Sequence, residues 1–155
     1  MIRRATEKDL PRVNALLRQV LALHAAGRPD IFAENTKKYT DEELLALFKD
    51  DSRPIFVSTD EDDTALGYAF CVLEETKDAH CLNDMKTLYI DDICVDEAFR
   101  GRGIAAGLYA HARAFAKAQG CYHVTLNVWV CNPAARQFYE HMGMIPLKTT
   151  MEDIL

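Results

Sequence analysis

The 155-residue chain contains no CxxC pair, no HxxxH or HExxH spacing and no apolar run long enough to cross a membrane. The first two absences exclude the usual zinc-ligand sets, so no metal is implied. The third excludes a helical membrane span. Its five cysteines (Cys71, Cys81, Cys94, Cys121 and Cys131) are odd in number. They read as small buried hydrophobes in a reducing compartment rather than as disulfide partners. The N-terminal stretch MIRRATEKDL lacks the apolar core of a secretory signal, so the expected location is cytoplasmic. Surplus positive charge is missing too. Lys and Arg number 18 against 24 Asp and Glu, a net charge of -6, which is the wrong balance for gripping a nucleic-acid backbone. An acidic chain fits a cationic partner better. Nor does any repeat, low-complexity tract or Pro/Gly-rich linker divide the sequence, and residues 1–155 are expected to form a single domain.

What is present alternates in a readable order. Residues 1–5 predict a short strand. Asp9 and Pro11 open a helix whose apolar face is Leu10, Val13, Leu16, Leu17, Val20 and Leu21. Residues 27–39 break the periodicity and predict a loop. Thr40 with Glu43 forms a capping box for a second helix, with Leu44, Leu47 and Phe48 as its buried stripe. Strands are predicted at 54–58, 65–74 and 86–95, the acidic run at 61–63 turning between the first two. A helix over 102–119 presents Ile104, Leu108, Ala112, Phe115 and Ala116 on one face and stops at Gly120. A strand over 122–128, a helix from Asn132-Pro133 to about His141, and a last strand after Gly143 complete the order β-α-α-β-β-β-α-β-α-β. That order predicts a mixed α/β fold, a central and mostly antiparallel sheet flanked by helices.

Between the strand ending at Val95 and the long helix lies Arg100-Gly101-Arg102-Gly103-Ile104-Ala105. Two residues without Cβ let the chain turn tightly and bring its amides close to a ligand. The helix that starts there points unpaired N–H groups and the positive end of its dipole outward, the ordinary requirements for a phosphate or pyrophosphate. A solvated helix start is the plain alternative. Gly101, Gly103 and Ala106 also fit the dinucleotide pattern G-x-G-x-x-G/A loosely. That pattern needs an acid about 20 residues on, where the sequence reads YHVTLNVWVCN.

Arg100, Gly103 and Ala105 match the R/Q-x-x-G-x-G/A signature, and the segment resembles the acetyl-CoA-binding turn of the GNAT superfamily of N-acetyltransferases. The run from Asn132 through Ala135, Phe138 and Tyr139 to Gly143 is similar to a second GNAT pattern, N-x-x-A-x-x-F-Y-x-x-x-G-F, with Met144 in place of the last aromatic. The resemblance, which covers the element order of the whole chain, implies a cosubstrate and roles. Acetyl-CoA would lay its pyrophosphate on Arg100, Gly101, Arg102, Gly103, Ile104 and Ala105. Its pantetheine arm would pair with Ile93, Cys94 and Val95, assisted by Asn132. Tyr139 would donate a proton to the departing CoA thiolate. Asn132 also suits a helix cap, and Tyr139 a surface hydroxyl.

Acetyl transfer to an amine needs the amine neutral, so a carboxylate near the site is wanted. Asp91 and Asp92 lie in the strand before the pantetheine segment, on opposite faces unless a bulge intervenes. YIDDICV is similar to the corresponding strand of diamine acetyltransferases, which favours Asp91 as base and a small cationic amine as acceptor; solvation or pairing with a basic side chain is the alternative. Tyr89 shares the parity of Asp91, and His24 with the 27–39 loop falls where the family builds its acceptor pocket. Cys94 invites an acyl-cysteine step, but a mid-strand cysteine is usually packing, so direct transfer in a ternary complex is expected. A non-catalytic CoA sensor, a nucleotide-binding module and acetylation of a protein N-terminus are the rival readings. Pairing of two copies, common in the family, is a further expectation.

Overall fold

The computed structural model describes residues 1–155. Five strands form one sheet in the order β1 (Ile2–Arg4), β2 (Ile55–Thr59), β3 (Ala65–Thr76), β4 (Met85–Val95) and β5 (His123–Leu126). The first four pair antiparallel and β5 pairs parallel to β4. Helices α1 (Leu10–Gly27) and α2 (Asp41–Phe48) cover one face of the sheet. There Val13, Leu16, Leu17, Leu44 and Phe48 pack on Ile55, Val57, Tyr68, Phe70 and Cys94. On the other face α3 (Ile104–Ala118) buries Leu108, Ala112 and Ala116 against Phe56, Ala69, Leu88 and Ile90, and α4 (Pro133–His141) joins that layer through Tyr139.

The predicted signals act as read in most elements. Thr40 Oγ1 accepts from the Glu43 amide at 3.2 Å and the Glu43 carboxylate accepts from the Thr40 amide at 2.8 Å. Two elements differ from expectation. The strand foreseen at 122–128 runs only from His123 to Leu126, and no strand follows α4. Alternating apolar residues mark out a strand, but a strand exists only where a neighbour takes its hydrogen bonds. Residues 145–155 make no backbone–backbone hydrogen bond.

One break in register decides the geometry of β4. Cys71 pairs with Ile90 and its neighbour in β3, Phe70, pairs with Asp92, so Asp91 is an extra residue. Such a bulge inverts the facing of the residues beyond it. Leu88 and Ile90 face α3. Past the bulge Asp92 stands opposite Phe70 of the α1 layer, Ile93 turns to α3, and Cys94 faces α1.

The corner where β1 meets α1 is held by a charge cluster. Asp9, whose side chain is 2% exposed, takes two bonds from Arg3 at 2.8 and 3.0 Å and another from the Thr6 amide at 2.8 Å. Arg3 also donates to Asp63, in the turn between β2 and β3, at 2.8 Å. Burial alone would raise the Asp9 pKa, but the Arg3 and Thr6 bonds outweigh it and hold the carboxyl below the ordinary range. A depressed carboxylate contributes stability that is present above pH 4 and lost as pH falls through its folded value. Asp9→Asn should therefore cost about 2–4 kcal/mol at pH 7 in urea denaturation. The gap from the parent should narrow as the pH is taken below 4.

Candidate active site

Strand β5 accompanies β4 only from Thr87 to Ile90. Past that point the β5 side of β4 is open from Asp91 to Val95. The Val95 carbonyl points to this side, because it accepts from Gln19 Nε2 at 3.1 Å and Arg100 Nε at 3.3 Å. By the alternation of a strand, the polar groups of Ile93 point there too, and those of Cys94 turn to β3. Of the three backbone positions expected to meet a pantetheine arm, Ile93 is thus available, Val95 offers its N–H alone because its carbonyl already accepts two bonds, and Cys94 is not available.

At the end of this edge the chain enters the glycine turn. Gly101 and Gly103 adopt φ of 76° and 78°, left-handed values that cost a residue with a Cβ about 1–2 kcal/mol. Gly103 precedes α3 and supplies no side-chain cap. The first helical bond is Gly107 N–H to the Gly103 carbonyl at 2.9 Å, and no amide from Gly101 to Ala106 donates to a protein acceptor. Successive N–H groups at a positive helix end form an anion cradle. Arg100 is drawn inward to Val95, and Arg102 stacks over the Phe99 ring at 5.1 Å.

Tyr139 projects from α4 into the α3 layer, 6.3 Å from the Tyr109 ring and 5.0 Å from Phe138. Burial, then the charge of Asp92, raises its pKa well above that of a free phenol. It is therefore a permanent O–H donor at ordinary pH. Asn132 takes the capping role, its Oδ1 accepting from the Ala135 amide at 3.1 Å. The Nδ2 end makes no bond within the protein.

The bulge brings both acids to the α1 side of the sheet. Asp91 receives Lys38 Nζ at 2.6 Å from the loop between α1 and α2. Asp92 accepts the Tyr68 O–H at 2.6 Å. Burial holds the Asp92 carboxyl above the usual carboxylate range, and the Tyr68 bond and Lys38 charge offset only part of that. Burial and the nearby Asp92 charge push the Cys94 thiol up to about 12. Its Sγ donates to the Leu16 carbonyl at 3.6 Å, which makes it packing and not a thiolate nucleophile. Tyr89 accepts from Asn127 Nδ2 at 3.2 Å. His24 packs on Phe32, and Phe32 meets Trp129 edge-on, so the 28–40 loop and the segment after β5 share one aromatic cluster.

Lys38, Tyr68, Gln19 and Asp92 are the groups whose parts the sequence pattern did not disclose. Lys38 sits in an aperiodic loop, and Tyr68 and Gln19 look like ordinary strand and helix residues until β4 is placed beside them. A hollow of about 520 Å³ lies at the Met85 end of β4 and is lined by Asn83, Asp84, Lys86 and Tyr122. None of the groups described above reaches it.

Known proteins share this fold. The model of the Acetyltransferase (GNAT) family matches residues 18–144. Glucosamine 6-phosphate N-acetyltransferase 1 of Oryza sativa subsp. japonica is 31% identical over 110 residues, 71% of this chain and 62% of that enzyme. The chain thus spans under two thirds of that relative. The crystal structure of a mutant of the BH1408 protein from Bacillus halodurans is 32% identical, with a TM-score of 0.95 over 100% of this chain and 99% of that one. An aminoglycoside N-acetyltransferase solved in complex with CoA shares the fold, with a TM-score of 0.72 at 17% identity over 100% and 98% of the two chains.

Asp92 offers a test of this electrostatic picture. A carboxyl whose folded pKa is raised contributes stability that is complete below about pH 4 and lost as pH rises through its folded value. Asp92→Asn keeps an acceptor for Tyr68 and removes the buried charge. Its melting temperature should exceed the parent's by a few degrees at pH 7, with the difference shrinking toward pH 4. An unchanged or lower value at pH 7 would contradict the assignment.

Proposed function

The chain belongs to the Acetyltransferase (GNAT) family, and from that premise we propose that it moves the acetyl group of acetyl-CoA to the primary amine of a small cationic molecule. The observation that carries this reading is the row of unpartnered amides from Gly101 to Ala106, set at the end of the open β4 edge. The pyrophosphate lies on those amides, with Arg100 and Arg102 beside it. The pantetheine arm addresses the outward polar groups of Ile93, the N–H of Val95 and the free Nδ2 of Asn132. Cys94 lines that strand without chemistry of its own.

The reaction then runs in a ternary complex. Asp91 draws in the substrate ammonium and accepts its proton, directly or through water. The neutral amine attacks the acetyl carbonyl, the C–N bond forms and the C–S bond breaks. The Tyr139 O–H is donated to the departing sulfur, and the second proton that the nitrogen sheds on becoming an amide restores the phenol. In the free protein the Lys38 ammonium already occupies Asp91, and it is a stand-in for the cation the substrate brings. The activities named for the relatives concern amino sugars: glucosamine 6-phosphate for the rice enzyme and aminoglycosides for the CoA-bound structure. Amino sugars and polyamines are the acceptor classes to try first.

Tyr139→Phe should lower kcat about 10²-fold and leave acetyl-CoA affinity within twofold of the parent. An unchanged kcat removes the assigned role. In thermal shift, acetyl-CoA and CoA should raise the melting temperature and NAD should not; stabilisation by NAD alone would defeat the proposal. Release of free CoA thiol across a panel of polyamines, aminoglycosides and glucosamine 6-phosphate then identifies the acceptor.

A further inference from the structure

Lys38 is the one lysine of the chain held in an ion pair by an acid of β4. Its Nζ stands 2.6 Å from Asp91 Oδ2, and the two side chains are only 32% and 26% exposed. Lys8, Lys37, Lys49 and Lys77 also pair with acids. Their side chains are 55–70% exposed, and none of their partners lies on β4. The Lys38 ammonium is steadied from its own backbone as well. It lies 5.5 Å from the centre of the Tyr39 ring. Tyr39 in turn stacks on Phe70 at 5.9 Å, against the core under α1.

The place where this amine is held matters as much as the hold. Asp91 is the first residue of β4 beyond the reach of β5, so Lys38 Nζ sits where the open edge begins. A pantetheine arm laid from the glycine turn past Val95 and Ile93 runs toward this point, which is two residues and about 7 Å beyond Ile93. A primary amine is thus already in hydrogen-bonded contact with the candidate base, at the end of the path along which a thioester arrives.

We propose that Lys38 is an acetyl acceptor in its own right: with acetyl-CoA bound and no small amine present, each chain acetylates its own Lys38. The inference rests on the acetyl-transfer reading and names a second acceptor for the same site. Asp91 takes one proton from the Lys38 ammonium, and the neutral Nζ attacks the acetyl carbonyl. The N–C bond forms, the C–S bond breaks, and the sulfur leaves with the Tyr139 proton. The second proton shed by Nζ restores the phenol, and the one on Asp91 passes to water. The products are Nε-acetyl-Lys38, CoA thiol and one proton. Burial by itself would lower the Lys38 pKa, but the Asp91 bond and charge outweigh it and hold the ammonium above the ordinary range. The neutral amine is therefore scarce at pH 7 and the step is slow. Once acetylated, Lys38 carries no charge and no longer neutralises Asp91.

Incubation of the full chain with acetyl-CoA carrying a ¹³C-labelled acetyl group, in an amine-free buffer, tests this by peptide mass mapping. Lys38 should take up label roughly tenfold faster than Lys8, Lys37, Lys49 or Lys77. Its first-order rate should stay the same when the protein is diluted, because base and acceptor belong to one chain. Tyr139→Phe should slow the labelling of Lys38 about tenfold or more and leave the background on the other four lysines as it was. Lys38→Arg, which keeps a cation on Asp91, should take up that background alone. Even labelling of the lysines overturns the proposal. So does a Lys38 rate that rises with protein concentration, or one that Tyr139→Phe leaves unchanged. An unlabelled Lys38 in a chain that still releases CoA to the amine panel defeats this inference alone, whereas no labelling and no release defeat the acetyl-transfer reading with it. Should Tyr139→Phe fail to fold, the comparison among lysines and the dilution series in the parent decide.

Discussion

Strand β4 carries one residue more than the partner it pairs with, and the candidate site depends on that surplus. Without a bulge at Asp91, Asp92 would follow Leu88 and Ile90 into the apolar layer under α3. An ionised carboxylate there would be unpaired and costly. With the bulge, two consecutive acids emerge on the α1 side, one meeting Lys38 and the other Tyr68. The same stretch is where β5 leaves, so displaced acids and open backbone edge coincide. The charge of Asp92, on the α1 side, reaches Tyr139 on the α3 side across this opening. An acetyl donor and an acceptor need such a passage if they are to approach from opposite faces of one sheet.

The anion cradle is built on a different principle and is nearly independent of the bulge. Its donors are main-chain amides held by two left-handed glycines and the start of a well-packed helix. The burial of Leu108, Ala112 and Ala116 keeps α3 in place, and the unpaired amides follow from the helix beginning where it does. On the far side Gln19 and Arg12 hold the exit of β4, Gln19 at the Val95 carbonyl and Arg12 at Asp96 at 2.7 Å. The strand end, the turn and α1 are therefore tied together.

Both acids and the tyrosine owe their properties to surroundings rather than to identity. Asp9 and Asp92 are both withdrawn from water, yet their pKa values move in opposite directions. Asp9 has a bidentate guanidinium and a backbone amide. Asp92 has a phenol and a more distant ammonium, too little to offset burial. One is a structural clasp and the other a poised group in an opening. Neither role is written in the residue type.

Much of this protein was open to a reading of neighbours along the chain. The capping box at Thr40, the stripes of α1 and α3, the glycine turn and the Asn132-Pro133 helix start each depend on chemistry within a few residues, and each formed where its signal lies. The opposition of the acids to Tyr139 was not open to such a reading, since it rests on a register break between β3 and β4. Lys38 as partner of Asp91 is a contact across 53 positions of sequence, made by a loop with no pattern of its own. The segment after Gly143 marks the limit most clearly. Its alternation is that of a strand, but a strand is a relation between two backbones, and only the assembled fold shows whether the second is there.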